Sequence, residues 1–195
     1  MRRLLLLLVA FVLVLAGGGL LYVRQTGLSA LPTPPAAEAR VARVVRRLAV
    51  PADVRSRLNP VPASPEVLAE GLAHFADHCA SCHAIDGSGD TATGRGLYPK
   101  APDMRAPATQ QLTDGELFWI IEQGVRFTGM PGWSTGTADG EQASWMLVRA
   151  IRHLPALTAE ERTRLEELMP RSPAEVRQQI EEERFLAGDD APAGR

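Results

Sequence analysis

The feature that most constrains this chain is the run Cys79-Ala80-Ser81-Cys82-His83. Both cysteines of the 195-residue chain lie in this run, and a histidine follows the second one directly. A C-x-x-C-H run is typical of c-type haem attachment, because cysteines at this spacing reach both vinyl groups along one porphyrin edge. The next residue then points its imidazole at the iron. The motif therefore predicts one covalent haem c, held by Cys79, Cys82 and His83.

Other uses of the cysteine pair are weaker. A structural zinc site needs two further ligands at suitable spacing, and His74, His78 and His153 show no such pattern. A thioredoxin-like redox pair lies in a βαβ setting, which this sequence does not predict. An exported cysteine pair can also form a disulfide, but the adjacent histidine favours haem attachment.

Charge is distributed unevenly along the chain. Residues 24–60 contain seven arginines and two acidic residues, whereas residues 66–170 contain eight basic and fifteen acidic residues. The region predicted to hold the haem is therefore acidic, and ionised haem propionates would make it more so. This argues against nucleic acid as a partner and favours redox protein partners with a basic docking patch.

The N-terminus carries a long apolar run. Leu4–Val23 follows two arginines without a single charge and is long enough to span a bilayer. A cleaved signal peptide would have its apolar core at Leu4–Leu15 and its cut site at Ala16–Gly18. We favour an uncleaved signal anchor over residues 1–23, because the apolar run resumes after the glycines. The positive start stays in the cytoplasm, so we expect a bacterial inner-membrane protein whose haem domain faces the periplasm.

Residues 24–65 are rich in proline and arginine and are predicted to form a tether. Within this segment, Val41, Val44, Val45 and Leu48 recur at helical spacing among arginines. This pattern predicts a short basic amphipathic helix over residues 36–50. Such a helix lies on anionic lipid headgroups or packs on the globular domain, and the sequence favours neither.

Five further helices and no strand are predicted after the tether, which makes the fold class all-α. Ser64 and Pro65 begin a helix over residues 66–80, and a Thr113–Glu116 capping box begins one that ends at Gly124. The others cover residues 141–154, 158–170 and 172 to about 188–190. Residues 86–96 are predicted to be loop.

Several of these motifs resemble the class I cytochrome c family. Gly71 and Phe75 precede the C-x-x-C-H run as in the first helix of that family. Residues 102–104 resemble its P-x-L segment, with methionine in place of leucine, and residues 129–133 resemble its distal methionine loop. The resemblance covers residues 66–157 and implies a class I cytochrome c fold wrapped around the haem.

The distal iron ligand is predicted to be a methionine. Met104 and Met130 both lie in loops after the haem motif, and Met130 is favoured because Gly129 and Pro131 let the backbone approach closely and hold the thioether still. The resemblance supports the same choice, with Met104 as the alternative. A His/Met pair fills both axial positions and favours Fe(II). It leaves no open site for O₂ or peroxide, which predicts an electron carrier rather than an enzyme.

Three weaker assignments accompany the iron ligands. The resemblance implies that the Pro102 carbonyl lies opposite His83 Nδ1, which would fix the tautomer of the ring. Arg126 and Trp133 flank the methionine loop and are candidates to hydrogen-bond a haem propionate. The alternatives are a solvated surface charge for Arg126 and packing against the haem for Trp133.

Together these features predict a membrane-tethered periplasmic cytochrome that carries single electrons between respiratory partners. Residues 158–195, a C-terminal helical extension without counterpart in the minimal fold, raise the alternative of a fixed haem subunit of a dehydrogenase or terminal oxidase complex. Their apolar residues would grip another chain or fold back on the cytochrome; they are Leu165, Leu168, Val176, Ile180, Phe185 and Leu186. A haem peroxidase or gas sensor would require that Met130 not bind.

Overall fold

The computed structural model describes residues 2–170 and 173–187, and its regular elements are helices. In chain order these are α1 (Arg2–Thr26), α2 (Ala36–Ala49), α3 (Ala52–Arg55), α4 (Pro65–His74), α5 (Ala80–His83), α6 (Ala92–Gly96), α7 (Pro107–Gln110), α8 (Asp114–Gln123), α9 (Ala138–His153), α10 (Ala159–Leu168) and α11 (Pro173–Leu186). No strand occurs within the two described ranges, and the all-α fold class is confirmed. The predicted cap Ser172 and the predicted end of the last helix at 188–190 lie outside the described residues.

The N-terminal helix α1 does not pack into the core of the fold. It buries none of its residues, and its apolar side chains are all exposed. A helix of 25 residues is about 37 Å long, which exceeds the roughly 30 Å of a bilayer core. Among the described residues, α1 is the helix long and apolar enough to cross a membrane, although a signal sequence meets the same criteria.

The helix that carries the haem motif begins as predicted and ends later. The Ser64 hydroxyl accepts a hydrogen bond from the Val67 amide, and Pro65 occupies the first helical position. A π-helical turn over Phe75–Cys79 then joins α4 to α5, so the helical run reaches His83 rather than ending near residue 80. Turns of this type inside helices are frequent at functional sites.

The centre of the core is the crossing of α4 and α9. Gly71 lies so close to the backbone carbonyl of Met146 that a Cβ atom has no room there. Phe75, Trp145 and Val148 are fully buried around this contact. Gly71 and Phe75 therefore pack on α9.

Helix α8 forms the other wall of the core. Its capping box is complete: the Thr113 hydroxyl accepts from the Glu116 amide, and the Glu116 carboxylate accepts from the Thr113 amide. The helix ends at Gly124, which has a φ of 65°. Phe118 stacks on Trp145 with ring centroids 4.1 Å apart, which ties α8 to α9.

The structure differs from the sequence predictions at two threonine N-caps, one that begins a helix earlier and one that begins an additional helix. Helix α9 begins at Ala138 rather than at residue 141, since the Thr137 hydroxyl accepts a hydrogen bond from the Gly140 amide. The predicted loop over residues 86–96 contains α6, which begins where the Thr91 hydroxyl accepts from the Gly94 amide.

The first part of the C-terminal extension folds back on the domain. Leu165 of α10 is buried in the common core, and His153 Nε2 lies 3.0 Å from the Glu161 carboxylate oxygens. Thr158 and Glu161 form a second complete capping box. Met169 is partly buried against the same core. Four apolar residues of the extension are exposed; they are Leu168, Ile180, Phe185 and Leu186. Val176 lies outside the residues whose side chains are described.

The predicted tether contacts the domain rather than running free of it. Val50 and Val61 are buried, and Asn59 Nδ2 donates to the Trp145 carbonyl at 2.9 Å. The Arg149 guanidinium donates to the Val61 carbonyl at 2.6 Å. The second half of residues 24–65 is thus integrated with the core. The division of the chain into an anchor, a tether, a cytochrome domain and an extension, with boundaries after residues 23, 65 and 157, stays a prediction.

Candidate haem-attachment site

The C-x-x-C-H residues lie on one turn at the edge of the core. Cys79 ends the π-helical turn, Cys82 lies on α5, and both are half-buried free thiols. His83 is the last residue of α5 and is 7% exposed. Ala84 then takes a φ of 59°, so the chain turns away directly after the histidine. Two thiols and one imidazole are thus presented together, as covalent haem attachment requires.

The His83 imidazole is held in the form that binds a metal. Burial lowers its pKa, with the Pro102 carbonyl opposing the shift, so the ring is neutral at pH 7. The buried Nδ1 atom nevertheless makes no hydrogen bond of regular geometry. A metal-bound histidine usually donates its second ring N–H to such a carbonyl. The structure therefore brings the Pro102 carbonyl near His83.

The two thiols are close to each other but are not bonded. Burial, and secondarily Cys82, raise the pKa of the Cys79 thiol to about 12, so the free thiol is protonated at neutral pH. Within the part of the chain that the structure describes, no group of three or more histidine, cysteine or acidic side chains is arranged to hold a metal ion. The chemistry offered here is that of thioether formation beside one nitrogen ligand.

The segment after the motif packs directly on the backbone of the motif. The Gly89 amide donates to the His83 carbonyl at 2.8 Å, and the Thr91 hydroxyl donates to the Cys82 carbonyl at 3.2 Å. Gly94 lies so close to the Cys82 carbonyl that a Cβ atom would overlap it. Helix α6 therefore fixes the position of the turn that presents the cysteines and the histidine.

Met130 lies in a tightly closed loop after α8. Its carbonyl accepts from the Val125 amide at 3.0 Å, and its amide donates to the Thr128 hydroxyl at 3.1 Å. Gly124 packs on the Met130 and Pro131 backbone. The half-buried Met130 is consequently held by its own loop, as a ligand methionine needs to be.

The methionine loop reaches the haem motif region by two contacts. Gly129 packs on the side chain of Leu97, which directly follows α6. On the other side, the Trp133 ring stacks on His78, with centroids 5.3 Å apart and planes at 25°. His78 immediately precedes Cys79 in the chain. The helical turn that carries His83 and the loop that carries Met130 thus share the neighbours Leu97 and His78.

Met104 and Met130, the two candidates for the distal ligand, lie in different surroundings. Met104 is buried in the apolar core, and its amide donates to the Gly87 carbonyl at 2.7 Å. Arg126 is exposed at the start of the methionine loop. Trp133 has His78 as its ring partner, and its predicted relation to the haem stays a prediction.

The sequence analysis assigns no role to His78, Thr91 or Leu97, although His78 and Leu97 contact the methionine loop and Thr91 contacts the haem motif. The Thr91-x-x-Gly94 spacing was a local signal for the cap of α6. No local signal reveals the His78–Trp133 stack, because its partners are far apart in sequence.

Residues 66–148 match the family described as Cytochrome C oxidase, cbb3-type, subunit III. The matched range begins at the start of α4 and ends within α9. It contains both cysteines, His83, Pro102 and Met130.

Proposed function

Because residues 66–148 form a domain of the class I cytochrome c family, we propose that this protein is a membrane-tethered periplasmic electron carrier with a His/Met-ligated haem c. Electron transfer by a c-type cytochrome domain follows from the family itself. One observation carries the finer proposal: α6 and the His78–Trp133 stack hold the His83 turn and the Met130 loop as one unit.

Each residue of the site has a separate task in this proposal. Cys79 and Cys82 would hold one haem by thioether bonds, and His83 and Met130 would bind its iron. The Pro102 carbonyl would accept the Nδ1 proton of His83 and fix the ring. When bound, the haem supplies a reversible one-electron iron couple, with a potential raised by the thioether ligand.

Two features of the chain support membrane tethering. Helix α1 is long enough to span a bilayer and buries nothing within the protein. Its two arginines at the N-terminus favour a cytoplasmic start and therefore an exported domain. The nine residues between α1 and α2 would confine the haem domain near the membrane and raise its effective concentration at membrane partners.

The charge of the domain supports a transient redox partner with a basic docking patch. Residues 66–170 contain fifteen acidic and eight basic residues. Complementary charge steers association, and such encounters weaken as salt rises. A small interface of this kind suits a carrier that must dissociate after each transfer.

A fixed subunit of a terminal oxidase is the second candidate. The description of the matched family favours it, as do the exposed Ile180, Phe185 and Leu186 of α11. Helix α10 offers less, because Leu165 is used within the domain itself. Purification from native membranes without crosslinking separates the two: a fixed subunit co-purifies with its partners in stoichiometric amounts, and a carrier does not.

The ligand assignment is tested by spectroscopy of the oxidised holoprotein. We expect a ferric–thioether charge-transfer band that disappears in Met130→Ala and persists in Met104→Leu, which conserves the volume of a buried side chain. The band persisting in Met130→Ala would move the assignment to Met104. Absence of the band from the unmodified protein, together with binding of CO to the reduced haem, would replace the carrier by an enzyme or gas sensor.

Membrane anchoring is tested separately by extraction of membranes at alkaline pH. A protein anchored by α1 stays in the membrane pellet with an intact N-terminus, which mass spectrometry verifies. Release into the supernatant, or a mass that begins after residue 18, would show that the segment is a signal peptide.

A further inference from the structure

Helix α2 contacts the domain through polar side chains and leaves its apolar side uncovered. Val41, Val44, Val45 and Leu48 lie at the i, i+3, i+4, i+7 positions of one face. Their exposed fractions lie between 54% and 77%. This is the reverse of the usual arrangement, in which the apolar face of a helix turns towards the core.

The side of α2 that meets the domain lies opposite these four residues. Ala39 and Arg46 are its half-buried residues. At 100° per residue they share one face, about 160° away from the centre of the apolar face. The apolar side of α2 therefore points directly away from the protein.

Polar contacts on both sides of α2 hold this orientation. The Tyr98 hydroxyl donates to Glu38 Oε2 at 2.9 Å near the start of the helix. Near its end, Arg47 Nε lies 3.8 Å from Glu116 Oε1. Before the helix, Lys100 Nζ donates to the Leu31 carbonyl at 3.0 Å. Turning the apolar face inward would break the contacts of Glu38 and Arg47.

The position and charge of α2 identify what covers the apolar face. Nine residues separate α1 from α2, and a chain of that length spans at most about 30 Å. Helix α2 carries four arginines against one acidic residue. Arg40 and Arg47 lie beside the apolar face, where lipid phosphates would meet them. A basic helix with a strong apolar face binds in the interface of anionic membranes.

We propose that α2 lies in the surface of an anionic bilayer, with its valines and Leu48 at the acyl boundary. This second membrane contact rests on the proposed anchor for its proximity to the bilayer. It also limits rotation of the domain about the anchor, which a single membrane span cannot do. Because Tyr98 and Glu116 contact α2 from the domain, docking of α2 would restrict the rotational orientation of the haem domain above the membrane.

The experiment uses the full-length holoprotein in nanodiscs, whose two faces are both accessible to reagents. Val44→Cys reports on the apolar face of α2, and Leu168→Cys is the control, with side chains 54% and 49% exposed respectively. The haem-motif cysteines are already consumed as thioethers. Labelling by a water-soluble maleimide is compared in nanodiscs of phosphatidylcholine alone and in nanodiscs that also contain phosphatidylglycerol.

In the anionic nanodiscs we expect position 44 to label about tenfold more slowly than position 168, equivalent to about 1.4 kcal/mol. High salt should reduce the protection, because it screens the attraction between arginines and headgroups. Arg40→Gln in the Val44→Cys background should reduce it as well. The same change at Arg164, an exposed residue of α10, should not.

Two results would overturn the lipid contact. Equal labelling of positions 44 and 168 in both kinds of nanodisc would show that the apolar face stays in water. Equal protection of position 44 in detergent and in both nanodiscs would show that protein, either a second copy or another subunit, covers it. Failure of the anchor itself is seen independently in the alkaline extraction, because the protein would then leave the membrane.

Discussion

The contact between α6 and the haem motif provides the sharpest test of the packing. Gly94 is buried, and a Cβ atom at this position would overlap the carbonyl oxygens of Cys82 and Gly89 and lie 3.1 Å from the Ala101 Cβ atom. Gly96, two residues later in the same helix, has nothing within 4 Å of the equivalent position. Alanine at these two sites is thus a matched pair that differs in the close approach alone.

The expected difference between the two variants follows from three contributions. Alanine favours a helix over glycine by about 1 kcal/mol, a gain available at both positions. At position 94, overpacking costs about 1–3 kcal/mol, and the upper end applies because backbone carbonyls cannot rotate aside. Separation of α6 from the motif also loses the Thr91–Cys82 hydrogen bond, worth about 1 kcal/mol. Gly94→Ala should therefore lower the free energy of unfolding by about 2–3 kcal/mol, whereas Gly96→Ala should leave it unchanged or raise it.

Guanidinium unfolding of the two detergent-solubilised holoproteins, followed by far-UV circular dichroism, measures this difference. For a domain of about 100 residues, 2–3 kcal/mol corresponds to roughly 8–24 °C in melting temperature. Gly94→Ala should also weaken the ferric–thioether band, since Leu97 follows α6 and packs on Gly129. If the two variants unfold at the same denaturant concentration, the reasoning from the close approach of α6 is wrong.

Two further predictions concern the frame around the site. Gly71→Ala would place a Cβ atom 2.9 Å from the Met146 carbonyl carbon and should cost about 2 kcal/mol net of the gain in helix propensity, measured by the same unfolding experiment; an unchanged midpoint would contradict the tight crossing of α4 and α9. The Thr158 amide and His153 lower the pKa of Glu161, so its stabilisation is complete above the unfolded-state pKa and is lost as pH falls through the folded-state pKa. Glu161→Gln keeps a side chain that completes the capping box but removes the charge, so it should be less stable than wild type by only about 0.5 kcal/mol at pH 7. The difference should shrink as pH falls below about 4; a difference that grows below this pH would refute this sign.

Short-range signals explain what the sequence predicts correctly. Ser64, Thr113 and Thr158 each cap a helix because a side-chain oxygen needs only the amide three residues later. The C-x-x-C-H motif has the same local character, since one helical turn brings its donors together. The match of residues 66–148 to a cytochrome family agrees with that motif.

Features that depend on distant partners were not predicted. Continuation of the helical run to His83 requires a π-helical turn, and no residue pattern in Phe75–Cys79 predicts such a turn. The stack of His78 on Trp133 joins the first helix to the methionine loop and exists only once both have folded. Spacing along the chain identifies the ligand candidates, but tertiary packing decides which of them share neighbours.

Helix α2 shows most clearly what local sequence patterns do not predict. The free energy of burying its apolar face also bears on function. Periodicity identified its apolar face but could not tell which way that face points. Burial of a valine or leucine side chain contributes about 1.5–3 kcal/mol, whereas an exposed ion pair contributes about 0–1 kcal/mol. Contacts as modest as Arg47–Glu116 would not outweigh the burial of four apolar side chains if water were the only alternative environment. An outward apolar face on a helix nine residues from α1 is energetically consistent when that face meets lipid, and the haem domain is then oriented as well as tethered.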